Sequence, residues 1–371
     1  MVMQMTGPSP LGVAPAGRRT RIAGVVALLL VLLGLAVVAV NARAGAVGSR
    51  IRNPNVTGAP RPVRALFGFT HWLPLLQIGT IVAMVALIIV FALAWRRRPR
   101  HPILLMVLVT TVLIWQDPIM NWAPYAVYIP QLWHWPTTWG LVSLSPTVEP
   151  FIVIGYATFY MAPFFPAVWL LRRMQARRPA ESFAWRHPLV SLAVLIFAIG
   201  FVFDAMLELF CIGTQLYIYS QVTPFGSFAD GKWYQFPLIW ESSLVTLVMI
   251  PAGILLYRDD TGRTQAEKLA QRIRAFRTRP ALGAFVVMFA IINVAYLCYG
   301  GGFALQRALK TTTSVACPWP FPEAKVYDPN GLYERNGQTG PYSAGIWSGW
   351  ESGQSNGRPN VALPASGGRC G

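Results

Sequence analysis

Residues 188–211 read "PLVSLAVLIFAIGFVFDAMLELFC". At 1.5 Å per residue, a helix over this run crosses the ~30 Å hydrocarbon core of a bilayer. A soluble surface helix keeps a polar face, and this stretch has none. It therefore decides the fold class: an all-α, polytopic helical membrane bundle. It also raises the functional question. Asp204 and Glu208 stand four positions apart and share one helix face inside an otherwise apolar segment.

Outward from this run, the sequence predicts seven spans, at roughly 22–40, 72–95, 103–122, 148–171, 188–211, 235–257 and 281–305. The third is cleanly apolar from Ile103 to Trp115 and then meets Gln116, Asp117 and Pro118. With 54% hydrophobic and 12% charged residues and a mean hydropathy of +0.45, the composition excludes an ordinary soluble domain. The predicted division is an N-terminal helix and polar linker (1–71), a six-helix core (72–305) and a Gly/Pro/Asn-rich tail (306–371). "RRTR" followed by an apolar run and "NARAGA" has the outline of a signal sequence, but the run exceeds the usual ~7–15 residues, which favours a retained helix.

The net charge of +17 is not a nucleic-acid signal, because Lys and Arg sit in short clusters between apolar runs. All 31 fall outside the predicted spans. A cytoplasmic N-terminus puts 19 of them on the inner side and 12 on the outer side, many of the latter in the long tail. The expected placement is a multi-pass protein of the plasma membrane, N-terminus inside and C-terminal tail outside. In that tail, Cys317 and Cys370 either pair on the oxidising side or remain two free thiols. Cys211 and Cys298 read as small buried hydrophobes near span ends. No C-x-x-C or H-E-x-x-H motif is present, so no metal is expected, and no nucleotide or flavin motif points to a cofactor.

Orientation groups the acids. Asp117 ends span three, Glu149 opens span four, Asp204 and Glu208 lie toward the end of span five, and Glu241 lies just inside span six. All five fall in the outer half, from four different spans. A charge deep in a bilayer costs at least ~2.5–3.5 kcal/mol, so such residues face a bundle interior or a wet cavity. Two buried carboxyls one turn apart cannot both ionise cheaply, which makes one a proton donor and the other an acceptor. The plainer alternative is that they stay neutral and tie helices together through hydrogen bonds.

The loops between these spans are aromatic. "WQDPIMNWAPYAVYIPQLWHWPTTW" (115–139) holds five Trp, two Tyr and one His without a Lys or Arg. Some of these belong to the interfacial aromatic belt. The remainder suit an apolar, oxygen-bearing substrate and a cationic transition state. Candidate substrate-binding residues are Asn121, Trp122, Tyr125, His134, Tyr217, Tyr234 and Gln235, with His134 alternatively a surface histidine. His101 and His187, each before a Pro, mark helix starts.

The segments "QDPIMNW" (116–122), "VEPF" (148–151), "FDAMLELF" (203–210), "GKWYQFPLIWE" (231–241) and "VYDPNGLYERNGQTGPY" (326–342) resemble, in order and character, the AveC-type spirocyclase family of actinobacterial membrane proteins. The resemblance runs from about residue 72 to 345. It implies cofactor-free chemistry in polyketide biosynthesis, closing a spiroketal from a dihydroxy-ketone and in some cases dehydrating the product. It carries no residue roles, so those of Asp117, Glu149, Asp204, Glu208 and Glu241 rest on the physical argument. The expected partners are an apolar or lipid-like small molecule and the bilayer. The alternatives are a proton-coupled transporter and a noncatalytic lipid-handling subunit. A retinal photoreceptor is excluded, since the last span has no Lys for a Schiff base.

Overall fold

The computed structural model describes residues 68–314, apart from positions 130–131, 137–140, 147, 152–155, 220, 233 and 310. The expected first helix, the linker and the tail with Cys317 and Cys370 lie outside the described residues.

Helix α1 (Trp72–Arg97) is apolar on every side and buries only Met84. Helix α2 (Pro102–Val112) starts at His101, whose ring accepts from the Ile103 N–H, and Pro102 occupies the first turn where no donor is needed. It tightens into a 3₁₀ turn (Leu113–Gln116) before α3 (Asp117–Trp122). Pro118 explains the change: it has no N–H for the Ile114 carbonyl, and Asp117 N–H takes that carbonyl instead. Next come α4 (Tyr156–Phe159), α5 (Phe164–Ala176), α6 (Phe183–Arg186), α7 (Pro188–Gly213), α8 (Leu238–Leu256), α9 (Gln265–Arg272) and α10 (Pro280–Ala308).

Among the described residues, five stretches are long and apolar enough to cross a membrane: 72–97, 102–122, 188–213, 238–256 and 280–308. The expected fourth span is not one helix. Glu149 lies in extended chain, α4 is a single turn, and the segment breaks again at Tyr160–Pro163 before α5 begins. Pro150, Pro163 and Pro166 account for the interruptions.

The architecture is not purely helical either. Two short antiparallel ribbons form in the loops: β1 (Ala126–Tyr128) with β2 (Tyr217–Tyr219), and β3 (Gln221–Val222) with β4 (Thr313–Ser314). Alternating aromatic and β-branched residues in "AVY" and "YIY" favour this local pairing. Tyr125 and Gln215, which lead into β1 and β2, both adopt left-handed backbone conformations (φ 55° and 61°).

Helix α7 packs on α8 and α5, α8 on α10, and α10 on α2 and α9. Gly200 sets the α7–α8 distance: a Cβ there would stand 2.9 Å from Met249 Sδ and 3.0 Å from Thr246 Cγ2. Helices α2, α7 and α10 run one way and α1, α5 and α8 the other, so the bundle has two distinct ends. One gathers Arg98, Arg172, Arg177, Arg258 and Arg277, and the other gathers the ribbons and the buried acids. Cys211 is buried, but Cys298 is exposed on the outer side of α10, contrary to the expectation for a buried thiol.

Candidate active site

All five acids singled out in the sequence are buried at the ribbon end. They form two groups. The first joins α3 to the segment before α4. Asn121, one turn after Asp117, donates from Nδ2 to Asp117 Oδ2 (3.0 Å) and to Glu149 Oε2 (2.7 Å). Ser145 Oγ donates to the same Glu149 oxygen at 2.7 Å. Tyr156 of α4 donates to Asp117 Oδ1. The Tyr296 hydroxyl lies 3.0 Å from that of Tyr156 and 3.4 Å from Asp117 Oδ1.

Glu149 is placed by the aromatic loop. Trp135 N–H donates to the Glu149 carbonyl and Phe151 N–H to the Trp133 carbonyl, both at 2.9 Å. The Trp135 and Phe151 rings stack 5.0 Å apart. His134 bridges Pro150 in this ribbon and is 5% exposed, with Nδ1 2.7 Å from the Trp135 carbonyl. It is thus a buried loop anchor rather than a surface histidine. Burial holds its pKa below the ordinary value, against a smaller upward pull from that carbonyl.

The second group joins α7, α8 and β2. Asp204 faces Ser242 of α8. Glu208 Oε2 accepts from the Tyr219 hydroxyl at 2.8 Å, and the Tyr217 hydroxyl reaches the same carboxyl. Burial, with Glu208 adjacent, pushes both phenols well above their ordinary pKa, so they remain protonated donors. Glu241 Oε1 accepts from the Tyr299 hydroxyl at 2.7 Å. Among the described residues, Asp204 Oδ2, Glu241 Oε2 and Glu149 Oε1 are buried without a hydrogen-bond donor. Among the described residues no Lys or Arg pairs with any of the five acids.

Tyrosines connect the groups. The rings of Tyr156, Tyr160, Tyr296 and Tyr299 follow one another with centroids 5.1, 5.4 and 5.6 Å apart. Tyr296 and Tyr299 share a face of α10. Gly300 beside them permits close packing, since a Cβ there would stand 2.6 Å from Met120 Cε of α3. Sequence reading missed these four tyrosines because they sit in segments that read as apolar filling. The signal was Asn293, Tyr296 and Tyr299 at helical spacing in "NVAYLCY". Asn293 itself receives Gln116 Nε2 at 2.7 Å and Trp115 Nε1 at 3.0 Å through its carbonyl oxygen.

Of the expected substrate contacts, Asn121 and Tyr217 are among the acids. Trp122 and Tyr125 instead cover Arg307, whose guanidinium sits 4.0 and 5.1 Å from their ring centroids and donates to the Trp122 carbonyl. Arg307 is buried, yet its described contacts are rings and a carbonyl rather than these acids. Gln235 braces its loop, donating to the Tyr219 carbonyl (2.8 Å) and accepting from Gly231 N–H (2.9 Å). Tyr234 is 40% exposed against Phe228. The described contacts of these last two positions are with their own loop.

The arrangement can hold protons on several carboxyls, pass them through hydroxyls, and present carboxyl oxygens free of donors beside aromatic rings. Among the described residues no cluster of three or more His, Cys, Asp or Glu could hold a metal ion. Neither a curated protein nor a solved structure matches the chain. A family match exists: the model for spirocyclase AveC-like proteins fits residues 95–327, more than half of the sequence and every helix that carries a buried acid. The chain belongs to the AveC-like spirocyclase family.

Proposed function

We propose that the buried acids form the active site of a membrane cyclase or dehydratase acting on an apolar, oxygenated substrate of polyketide or lipid-like character. The observation that carries this reading is the pair of buried oxygens, Asp204 Oδ2 and Glu241 Oε2, that meet no donor among the described residues and lie on two helices packed together. Family membership supports spirocyclase-type chemistry.

For spiroketal closure, one substrate hydroxyl first adds to the ketone, giving a hemiketal. A protonated Asp204 then transfers its proton to the hemiketal hydroxyl, which departs as water and leaves an oxocarbenium ion. The second hydroxyl attacks this cation and gives its proton to Glu241, whose Oε1 is held by Tyr299. The proton returns to Asp204, so one water is lost overall and no oxidation state changes. Glu208, held by Tyr217 and Tyr219, supplies negative potential for the cation. Dehydration uses the same donor and acceptor.

The tyrosines between the acid groups also favour a second reading, a proton-coupled transporter. In either case, the Lys/Arg asymmetry supports an extracytoplasmic position for the acidic end in the plasma membrane.

The test uses purified protein in lipid nanodiscs with a dihydroxy-ketone of polyketide type, following loss of one water by mass. Asp204→Asn and Glu241→Gln should each slow this by ~100-fold or more, the scale of a general acid or base. Equal rates in wild type and both variants would refute the catalytic role. Uptake into sealed proteoliposomes without chemical change would select the transporter.

A further inference from the structure

The bundle has a concave site at the end opposite the acids. It is a cavity of about 210 Å³ where α2 begins, α5 ends and α8 meets the loop to α9. Ile103, Val168 and Leu256 line its apolar part, and His101, Arg172 and Arg258 its rim. The proposed reaction uses none of these residues.

The rim is rich in donors. The Ile103 N–H points at His101 Nδ1, and Arg258 Nη2 lies 3.4 Å from Nε2, so two donors share one ring. A neutral imidazole accepts at only one nitrogen, so one of these contacts is donor to donor in either tautomer, and an acceptor oxygen at the rim would relieve it. Burial, with Arg258 and Arg98 nearby, lowers the His101 pKa against the opposing pull of Glu267, which favours this neutral form.

Arg172 adds a second guanidinium. It donates to the Arg258 carbonyl at 2.8 Å and reaches Gln175 Oε1 at 3.3 Å. Neither arginine forms an ion pair among the described residues. The nearby carboxylates are otherwise engaged: Glu267 closes the capping box with Thr264, and Asp259 pairs with Lys268. Beside the cavity, Arg173 stacks 5.3 Å above the Trp169 ring, an exposed aromatic of the kind found at membrane interfaces.

We propose that this cavity binds an anionic amphiphile with a phosphate head group, the phosphate between His101, Arg172 and Arg258 and an acyl chain along Ile103, Val168 and Leu256. Two guanidiniums suit phosphate geometry, and the apolar lining of Ile103, Val168 and Leu256 suits an acyl chain.

The test is a competition assay on the full-length protein in uncharged detergent, with a fluorescent phosphatidylglycerol as probe. Unlabelled phosphatidylglycerol should displace the probe, while phosphatidylcholine and inorganic phosphate at the same concentration should not. Arg172→Gln with Arg258→Gln should weaken binding by about tenfold or more, as for lost charge-assisted hydrogen bonds. Val168→Trp, which fills the apolar part and leaves both arginines, should weaken it similarly, whereas Arg173→Gln should leave it unchanged. If the double variant does not fold, Arg172→Gln alone decides, with a clear loss expected. Displacement by inorganic phosphate would assign a free-anion site and overturn the amphiphile. Equal loss in Arg173→Gln, or none in the cavity variants, would overturn the site.

Discussion

At the scale of single residues, Asn121 shows how a membrane protein holds carboxyls without a cation. Its two amide hydrogens go to Asp117 and Glu149, whose bearing segments are separate in the chain. A buried polar group without partners costs ~1–3 kcal/mol, so each such bond keeps an expensive group in place. The acids themselves were legible, since a carboxylate in an apolar run stands out. Their tyrosine partners were not, because Tyr156, Tyr296 and Tyr299 are as apolar as their neighbours until their hydroxyls find an acceptor.

His134 belongs to the same scale and carries a pH prediction. Its folded-state pKa is lowered by burial, so the unfolded chain binds the extra proton first. The neutral ring's contribution is complete above the unfolded value of about 6.5 and is lost as pH falls below it toward the folded value. The melting temperature of the wild type should therefore fall between neutral pH and pH ~5. His134→Gln should flatten that fall; an unchanged slope would show that His134 does not titrate on unfolding.

At the scale of elements, span lengths were legible because hydrophobic runs of about 20 residues have few other uses. The fourth segment was misread as one helix because its composition stays apolar through Pro150 and Pro163. Hydropathy reports where a chain can sit in lipid; the prolines decide whether it can stay helical there. The ribbons were missed for another reason: β1 and β2 are three residues each and far apart in sequence. The α7–α8 contact gives the element-scale prediction. Gly200→Leu drives a side chain into Met249 and Thr246, one turn before Asp204. Overpacking of this kind costs ~1–3 kcal/mol. A lower melting temperature should accompany lost activity, and neither should change in Gly213→Ala, where a Cβ meets open space.

At the scale of the whole molecule, the bundle gathers most of its described arginines at one end, and the buried acids and aromatic ribbons at the other. With the proposed orientation and the four native cysteines replaced by Ser, a cysteine at Phe225, an exposed loop position at the acidic end, should react with a membrane-impermeant maleimide in intact cells. One at Gly262, in the loop at the basic end, should react only after lysis. The reverse pattern would invert the molecule without moving the site.

The central claim is that Asp204 and Glu241 exchange protons with a substrate. Its most direct test is the apolar metabolite profile of the source cells carrying wild type, a deletion, or the Asp204→Asn or Glu241→Gln allele at equal membrane abundance. We expect both alleles to match the deletion and to accumulate a precursor heavier than the product by one water. Alleles whose profiles match the wild type, with the product intact, would contradict it.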